Sequence, residues 1–276
     1  MGKGEDEKMN KRIGFIGSGN MAKAMIGGIV KSGFVKSENV ISSDLNQATL
    51  DTMKKEFSIN TTTDSKEVVK NSDIIVVAVK PNIYDIVLKS VVDLIDDSKI
   101  IVTIAAGKTI KSIEDVIGSD KKIIRTMPNT PALVNEAMSA ICKNKNITDE
   151  DLDIVKQMFS SFGKAEVVGE YLIDAVIGVS GSSPAYVFMF IEAMADAAVM
   201  YGMPRQQAYK FASQAVLGAA KMVLETGKHP GELKDMVCSP GGTTIKAVAT
   251  LEEEGLRNAV IRGTVDCIEA SKELSK

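Results

Sequence analysis

The sequence is poor in the residues from which metal and nucleophile sites are usually built. Its 276 residues include one histidine and three cysteines. Cys142, Cys238 and Cys267 are scattered without metal-ligand spacing; an odd, sparse set offers no disulfide framework and suits a reducing compartment. No His/Cys/Asp/Glu cluster has metal spacing, and no Ser/His/Asp triad motif is present. The lone His229 precedes Pro230 at an expected helix start, where a structural polar role is the ordinary one. Neither sign of charge dominates. With 33 basic and 36 acidic residues the formal net charge is −3, which leaves no basic footprint for nucleic acid. No apolar run is long enough to cross a membrane: the most apolar long stretch, Ala185–Met200, carries Glu192 and Asp196, is too short to span a bilayer, and is expected to be a buried helix. Residues 1–10 are polar and mostly charged. They lack the apolar core of a signal peptide, and Asp6 stands where a myristoylation signal needs Ser or Thr. They are expected to form a disordered tail on a cytoplasmic protein.

Hydrophobic residues make up 45% of the chain and charged residues 25%, so a packed core is expected, with length enough for about two domains. Short β-branched runs alternate with helical patterns through the first part. The expected strands are Arg12–Ile16, Val40–Ser43, Ile74–Val79, Ile100–Ile104, Lys122–Thr126 and Met138–Cys142. Helices are expected at Met21–Lys31, Gln47–Phe57 and Asp149–Phe162. Such alternation implies a parallel sheet with helical crossovers. After about Val168 the strand-like runs stop, and Ala- and Met-rich helical segments follow at Tyr171–Val179, Pro184–Tyr201, Arg205–Glu225, Gly231–Val237, Thr244–Glu253 and Leu256–Leu274. Pro184, Pro204 and Pro230 sit where helices start. The expected architecture is α/β: a Rossmann-type parallel-sheet domain over residues 11–168, then an all-α domain over 169–276. Small residues at Ala193, Ala197, Ala198, Ala212, Ala215, Gly218 and Ala219 would let helices approach closely, and so much apolar helix in a short domain suggests a helix-to-helix homodimer.

The first strand runs through Ile16 into Gly17-Ser18-Gly19-Asn20-Met21-Ala22, a G-x-G-x-x-A turn between an apolar strand and a helix. Gly17 permits the tight turn, Gly19 lets the backbone approach a pyrophosphate, and Ala22 keeps the helix close to the strand. The second strand ends at Ser43-Asp44, where a ribose-reading side chain belongs. Asp44 can accept from ribose hydroxyls and repel a 2′-phosphate; Ser42, Ser43 and Asn46 can instead donate to that phosphate. NADPH and NADH both remain open.

Four further segments are Ala78-Val79-Lys80-Pro81, Ala105-Ala106-Gly107, Met127-Pro128-Asn129-Thr130-Pro131 and Ser239-Pro240-Gly241-Gly242-Thr243-Thr244. Together with Gly14–Met21 they resemble pyrroline-5-carboxylate reductase, and the resemblance covers nearly the whole chain from Lys11 onward. It implies that the first two segments contact the dinucleotide, and that Asn129 and Pro131 lie near the nicotinamide. Ser65 stands where the family commonly has an Asn contacting the adenosine ribose. The last segment is the most specific. Its two glycines precede an expected helix start near Thr244, where free N–H groups and the positive dipole end suit a carboxylate; Ser239 or Thr243 as an ordinary helix cap is the bland alternative. The implied substrate is a cyclic imine carrying one carboxylate. Thr244 would be the hydrogen-bond partner or proton relay to the ring nitrogen, and Ser239, Gly241, Gly242 and Thr243 would hold the acid group. The resemblance also implies dimers through the helical domain, which related enzymes arrange in rings, with no nucleic-acid, membrane or metal partner.

Two rivals differ in class. A β-hydroxyacid dehydrogenase would resemble G-x-x-G-x-G-x-x-x-K at the domain junction, but Gly178-Val179-Ser180-Gly181-Ser182-Ser183-Pro184-Ala185-Tyr186 lacks the third glycine and the lysine. A non-catalytic dinucleotide sensor would have no use for the Ser239–Thr244 anion loop.

Overall fold

Four strands without a single exposed residue form the middle of the protein: β1 (Ile13–Ile16), β2 (Val40–Ser43), and further along the chain Ile74–Val77 and Ile100–Thr103. Buried on both faces, they are covered from both sides, as parallel strands are. The structure, a computed structural model, describes residues 10–274. Between these strands lie α1 (Asn20–Lys31), α2 (Gln47–Phe57), β3 (Asn60–Thr62) and α3 (Ser65–Lys70); Ile74–Val77 is β4, followed by α4 (Pro81–Val91), and Ile100–Thr103 is β5, followed by α5 (Ile110–Ile117). Then come β6 (Lys122–Met127), β7 (Ala137–Lys143), α6 (Asp149–Ser160) and β8 (Gly163–Val167). The strands form one sheet in the order β3-β2-β1-β4-β5-β6-β7-β8. Side chains of α1, α2 and α6 pack with one face of it around Phe15, Val76 and Ile124, and those of α3, α4 and α5 with the other around Ile75, Ile101 and Ile123.

The sheet departs from the expected one in three places. It is not wholly parallel, since β7 runs antiparallel to β6, with Arg125 opposite Cys142. The intervening 3-10 turn, Thr130–Val134, is too short for a crossover, and a short connection joins antiparallel neighbours. Strands β3 and β8 were not expected: β3 is three polar residues, and in β8 only Ala165 is buried, as befits edge strands. The strand expected to reach Val79 ends at Val77, although Ala78 N still donates to Ile16 O.

Contacts divide the chain later than residue 168. One unit comprises the residues through Gly181 with the C-terminal end from Ile268; the other is Ser182–Cys267. The segment after β8 belongs with the sheet because Glu170 accepts hydrogen bonds from Arg125 Nη1 (2.9 Å) and Ile110 N (2.8 Å), and Ile173 is buried among the sheet's residues. The helix expected over Tyr171–Val179 is accordingly broken into a 3-10 turn (Glu170–Leu172), α7 (Ile173–Val176) and a π-helical turn (Ile177–Gly181). The tail expected over residues 1–10 lies, apart from Asn10, outside the described residues.

The second unit holds α8 (Ser183–Met200), α9 (Arg205–Thr226), α10 (Pro230–Val237), α11 (Thr243–Glu253) and the first turns of α12 (Leu256–Leu274). Here the expectation of a buried helix fails. Within one chain Ala195 is the sole buried residue of α8, while Phe188 and Met189 are 63% and 69% exposed. A few helices with no sheet beneath them cannot surround a helix that is apolar all round. The expectation that the apolar stretch is too short for a bilayer is also corrected, because the helical turns before α8 lengthen it: by length and composition alone, 170–200 is the one helical stretch among the described residues apolar enough to cross a membrane, and 11% of its most apolar window is buried.

Candidate functional site

Strand order reverses between β1 and β4, and a cleft of about 640 Å³ opens at the carboxyl ends of the strands there, where open α/β sheets hold ligands. Gly17 shapes its floor. At φ +99° it adopts a backbone that favours glycine, and a Cβ there would lie 2.7 Å from the Ala78 carbonyl oxygen. Gly19 is different: its backbone is extended and nothing lies within 4 Å of where its Cβ would be. It is the N-cap of α1, with no side-chain cap and no acidic residue in the first turn. The N–H groups of Asn20, Met21 and Ala22 therefore face a positive dipole end with no side chain to satisfy them.

Gly17, Gly19, Asn20, Met21, Asp44, Ala78, Val79, Lys80, Pro81, Ala105 and Ala106 all line this one cleft. Ile83 and Ile104 line it too. The sequence reading missed both, because an apolar residue beside a strand end or early in a helix carries no signal distinguishing ligand wall from core. The other expected residues do not line the cleft. Ile16 is buried beneath it. Ser18 is buried as well; its Oγ pairs with Ser42 Oγ at 2.7 Å and its N–H donates to Asp44 Oδ2 at 2.9 Å. Ser43 Oγ donates to Phe15 O and lies 3.5 Å from Ser65 Oγ. Asn46 caps α2, accepting from Ala48 N and Thr49 N. Gly107, φ +77°, is pressed against the end of α12, where a Cβ would meet Leu274 O at 2.7 Å. Asn129 donates from Nδ2 to Ser180 O and accepts at Oδ1 from Met138 N, and Pro131 stands in the first turn of the short 3-10 helix.

In the helical unit, Ser239–Thr244 forms a glycine turn with the same logic. Gly241 has φ +69°, Gly242 N donates to Ser239 O at 3.1 Å, and a Cβ on Gly242 would meet Ser239 Oγ at 2.4 Å. Helix α11 begins at Thr243, one residue before the expected start. Gly242 is its N-cap, and no side chain caps it and no acidic residue sits in its first turn. The bland reading, a cap by Ser239 or Thr243, is thus not what the turn does. His229 does what its position implied: Nδ1 accepts from Gly231 N at 3.0 Å and caps α10.

The sheet, the glycine turn and the uncapped helix start above the cleft define a Rossmann-type dinucleotide-binding protein with a separate helical domain. Residues 12–107 match a family model described as NADP oxidoreductase, coenzyme F420-dependent, and residues 170–274 match one described as pyrroline-5-carboxylate reductase dimerisation. A pyrroline-5-carboxylate reductase of Escherichia coli strain K12 is 54% identical over 97% of this chain and 100% of its own length. The solved structure of the Coxiella burnetii pyrroline-5-carboxylate reductase has a TM-score of 0.91 at 32% identity, covering 97% of this chain and 100% of that one. A Plasmodium falciparum pyrroline carboxylate reductase solved with NADP bound has 0.88 at 33%, covering 97% and 99%. The chain belongs to the pyrroline-5-carboxylate reductase family. That membership sets aside the β-hydroxyacid dehydrogenase alternative.

Proposed function

We propose that this protein reduces 1-pyrroline-5-carboxylate to L-proline with NADPH or NADH, the last step of proline biosynthesis, as a cytoplasmic enzyme. The observation that carries this reading is a pair of like helix starts, Gly19 before α1 and Gly242 before α11, each uncapped by any side chain and free of acidic residues in its first turn. The reaction needs two anion sites, one for a pyrophosphate and one for a carboxylate, and a helix start of this kind suits either.

The residues present fit the dinucleotide. Gly17 makes a turn that any Cβ would obstruct, and Gly19 leaves open the space above α1. The α1 start would take the pyrophosphate. Asp44 would read the ribose, and Ala78–Pro81 with Ala105 and Ala106 would form the wall. When bound, the reduced nicotinamide supplies the hydride that adds to the imine carbon. The chain's own residues do the placing. Backbone N–H groups of Thr243 and Thr244 hold the substrate carboxylate, supported by Ser239, Gly241 and Gly242. Thr244 is the hydrogen-bond partner of the ring nitrogen. An alcohol is a poor free acid, so its part is orientation more than proton donation.

The exposed apolar helix α8 has a use in the same reading: two copies associate through their helical domains and cover Phe188 and Met189. The stretch 170–200 carries Glu170, Asp174, Glu192 and Asp196, and Glu170 is ion-paired with Arg125, which suits a protein interface and not a bilayer.

The test is the loss of reduced-nicotinamide absorbance when the purified protein meets pyrroline-5-carboxylate. Consumption dependent on both reactants is expected. No consumption with either dinucleotide would end the proposal in favour of a sensor. Sedimentation showing only monomer at micromolar concentration would reject the association.

A further inference from the structure

We propose that Asp44 discriminates against a 2′-phosphate, so that NADH is the preferred reductant of this chain. The inference rests on the reading that the cleft holds a nicotinamide dinucleotide. A related structure holds NADP, so the fold itself admits the phosphate, and any preference must come from residues local to the ribose.

In sequence the end of β2 was ambiguous, with one acid and three polar residues able to donate. The structure narrows the choice by giving the two serine hydroxyls other work. Ser42 is fully buried and its Oγ pairs with Ser18 Oγ. Ser43 is 2% exposed and its Oγ donates to a backbone carbonyl. Asn46 uses its side-chain oxygen to cap α2. Neither serine hydroxyl is presented to a ligand.

Asp44, in contrast, lines the cleft. Its carboxylate is fixed at both oxygens, Oδ2 accepting from Ser18 N at 2.9 Å and Oδ1 from Asn46 N at 3.0 Å. The Ser18 bond ties the acid directly to the glycine turn. No lysine or arginine forms an ion pair with it among the described residues. The cation in the cleft wall, Lys80, follows β4, on the far side of β1 from β2. A carboxylate fixed in this way at the strand end accepts from the two hydroxyls of an unmodified ribose. The same carboxylate repels a phosphate dianion placed on that ribose, and residues 41–53, the end of β2 and the first turns of α2, carry no lysine or arginine to offset the repulsion.

The test is calorimetric titration of the full-length protein with NADH and with NADPH, in the absence of substrate, beside steady-state rates with each. NADH is expected to bind tighter by roughly tenfold or more, about 1.4 kcal/mol. Asp44→Asn, which keeps the shape and removes the charge, should narrow the ratio severalfold. Asp44→Ser should do the same if the carboxamide packs poorly, with melting curves showing that each variant is folded. Equal or tighter binding of NADPH by the wild type would overturn the proposal, as would an unchanged ratio in both folded variants. Because binding is read without substrate, a protein that shows the NADH preference but reduces no pyrroline-5-carboxylate would sink the reductase reading while sustaining this one.

Discussion

Asn129 and Ser180 are joined by a 2.9 Å hydrogen bond from the Asn129 amide Nδ2 to the Ser180 carbonyl, while Oδ1 of the same amide accepts from Met138 N at 2.9 Å. One side chain thereby ties the loop after β6 to β7 and to the π-helical turn at Ile177–Gly181. Asn129→Ala leaves two backbone groups without partners in a largely buried place. It should cost about 1–3 kcal/mol in denaturant unfolding, with Asn129→Asp falling between it and the wild type because the acceptor survives. A loss within about 0.5 kcal/mol for the alanine variant would show that the tether carries no load.

The two glycines of the first turn should fail in opposite ways. Gly17→Ala places a Cβ at φ +99° and against Ala78 O, so it should lower stability by about 1–3 kcal/mol. Gly19→Leu meets open space and should leave the melting temperature nearly unchanged while weakening dinucleotide binding roughly tenfold or more. Unchanged affinity in calorimetry would reject the loop's role.

Thr244→Ala should lower turnover by roughly tenfold or more with little change in dinucleotide affinity. Thr244 lies in the first turn of α11, in the helical unit, so a folding defect is not expected. Wild-type turnover would remove Thr244 from the chemistry.

Arg125 is 3% exposed, and among the described residues its Nε and Nη2 have no hydrogen-bond partner. Its Nη1 donates to Glu170, the acid that also accepts from the first amide of α5. Glu170→Ala strands the guanidinium and should destabilise by about 3 kcal/mol. Adding Arg125→Met should recover part of that loss, since an apolar side chain needs no partner. A double variant less stable than Glu170→Ala would contradict the assignment.

Asp151 closes the capping box at the start of α6 and pairs with Lys122 at 2.8 Å. Burial pushes its carboxyl upward, but Lys122 and the hydroxyl and amide of Thr148 together hold it below the usual aspartate value. A lowered folded-state value means stability that is fully present above the unfolded pKa, about 3.9, and is lost as the pH falls through the folded one. The stability gap between wild type and Asp151→Asn should therefore be largest near neutrality and shrink steadily below about pH 4. A gap independent of pH would deny the carboxylate its charge-dependent role.

The apolar strands β1, β2, β4, β5 and β6, the helices α1, α2 and α6, the glycine turn, and the division into a sheet half and a helical half were legible in the sequence. Each is written in local chemistry: β-branched runs, a glycine forced to positive φ, prolines at helix starts. The reversal of β7 and the edge strands β3 and β8 were not legible. Strand direction depends on how a short connection can close, and a polar edge strand has no apolar pattern to betray it. At the site, residues carrying a motif were found, whereas Ile83 and Ile104 were hidden because a cleft wall is apolar for the same reason a core is.

Composition and pattern by themselves determined that this protein would carry a glycine turn before a helix and a second one before α11, because backbone geometry there admits little else. Only the tertiary structure decided which neighbours of those turns face a ligand. Ser18, Ser42 and Ser43 turned out to be hydrogen-bonded within the sheet's interior while Asp44 was left at the cleft. That outcome depends on which side chains strands distant in sequence bring within bonding distance, and no local pattern encodes it.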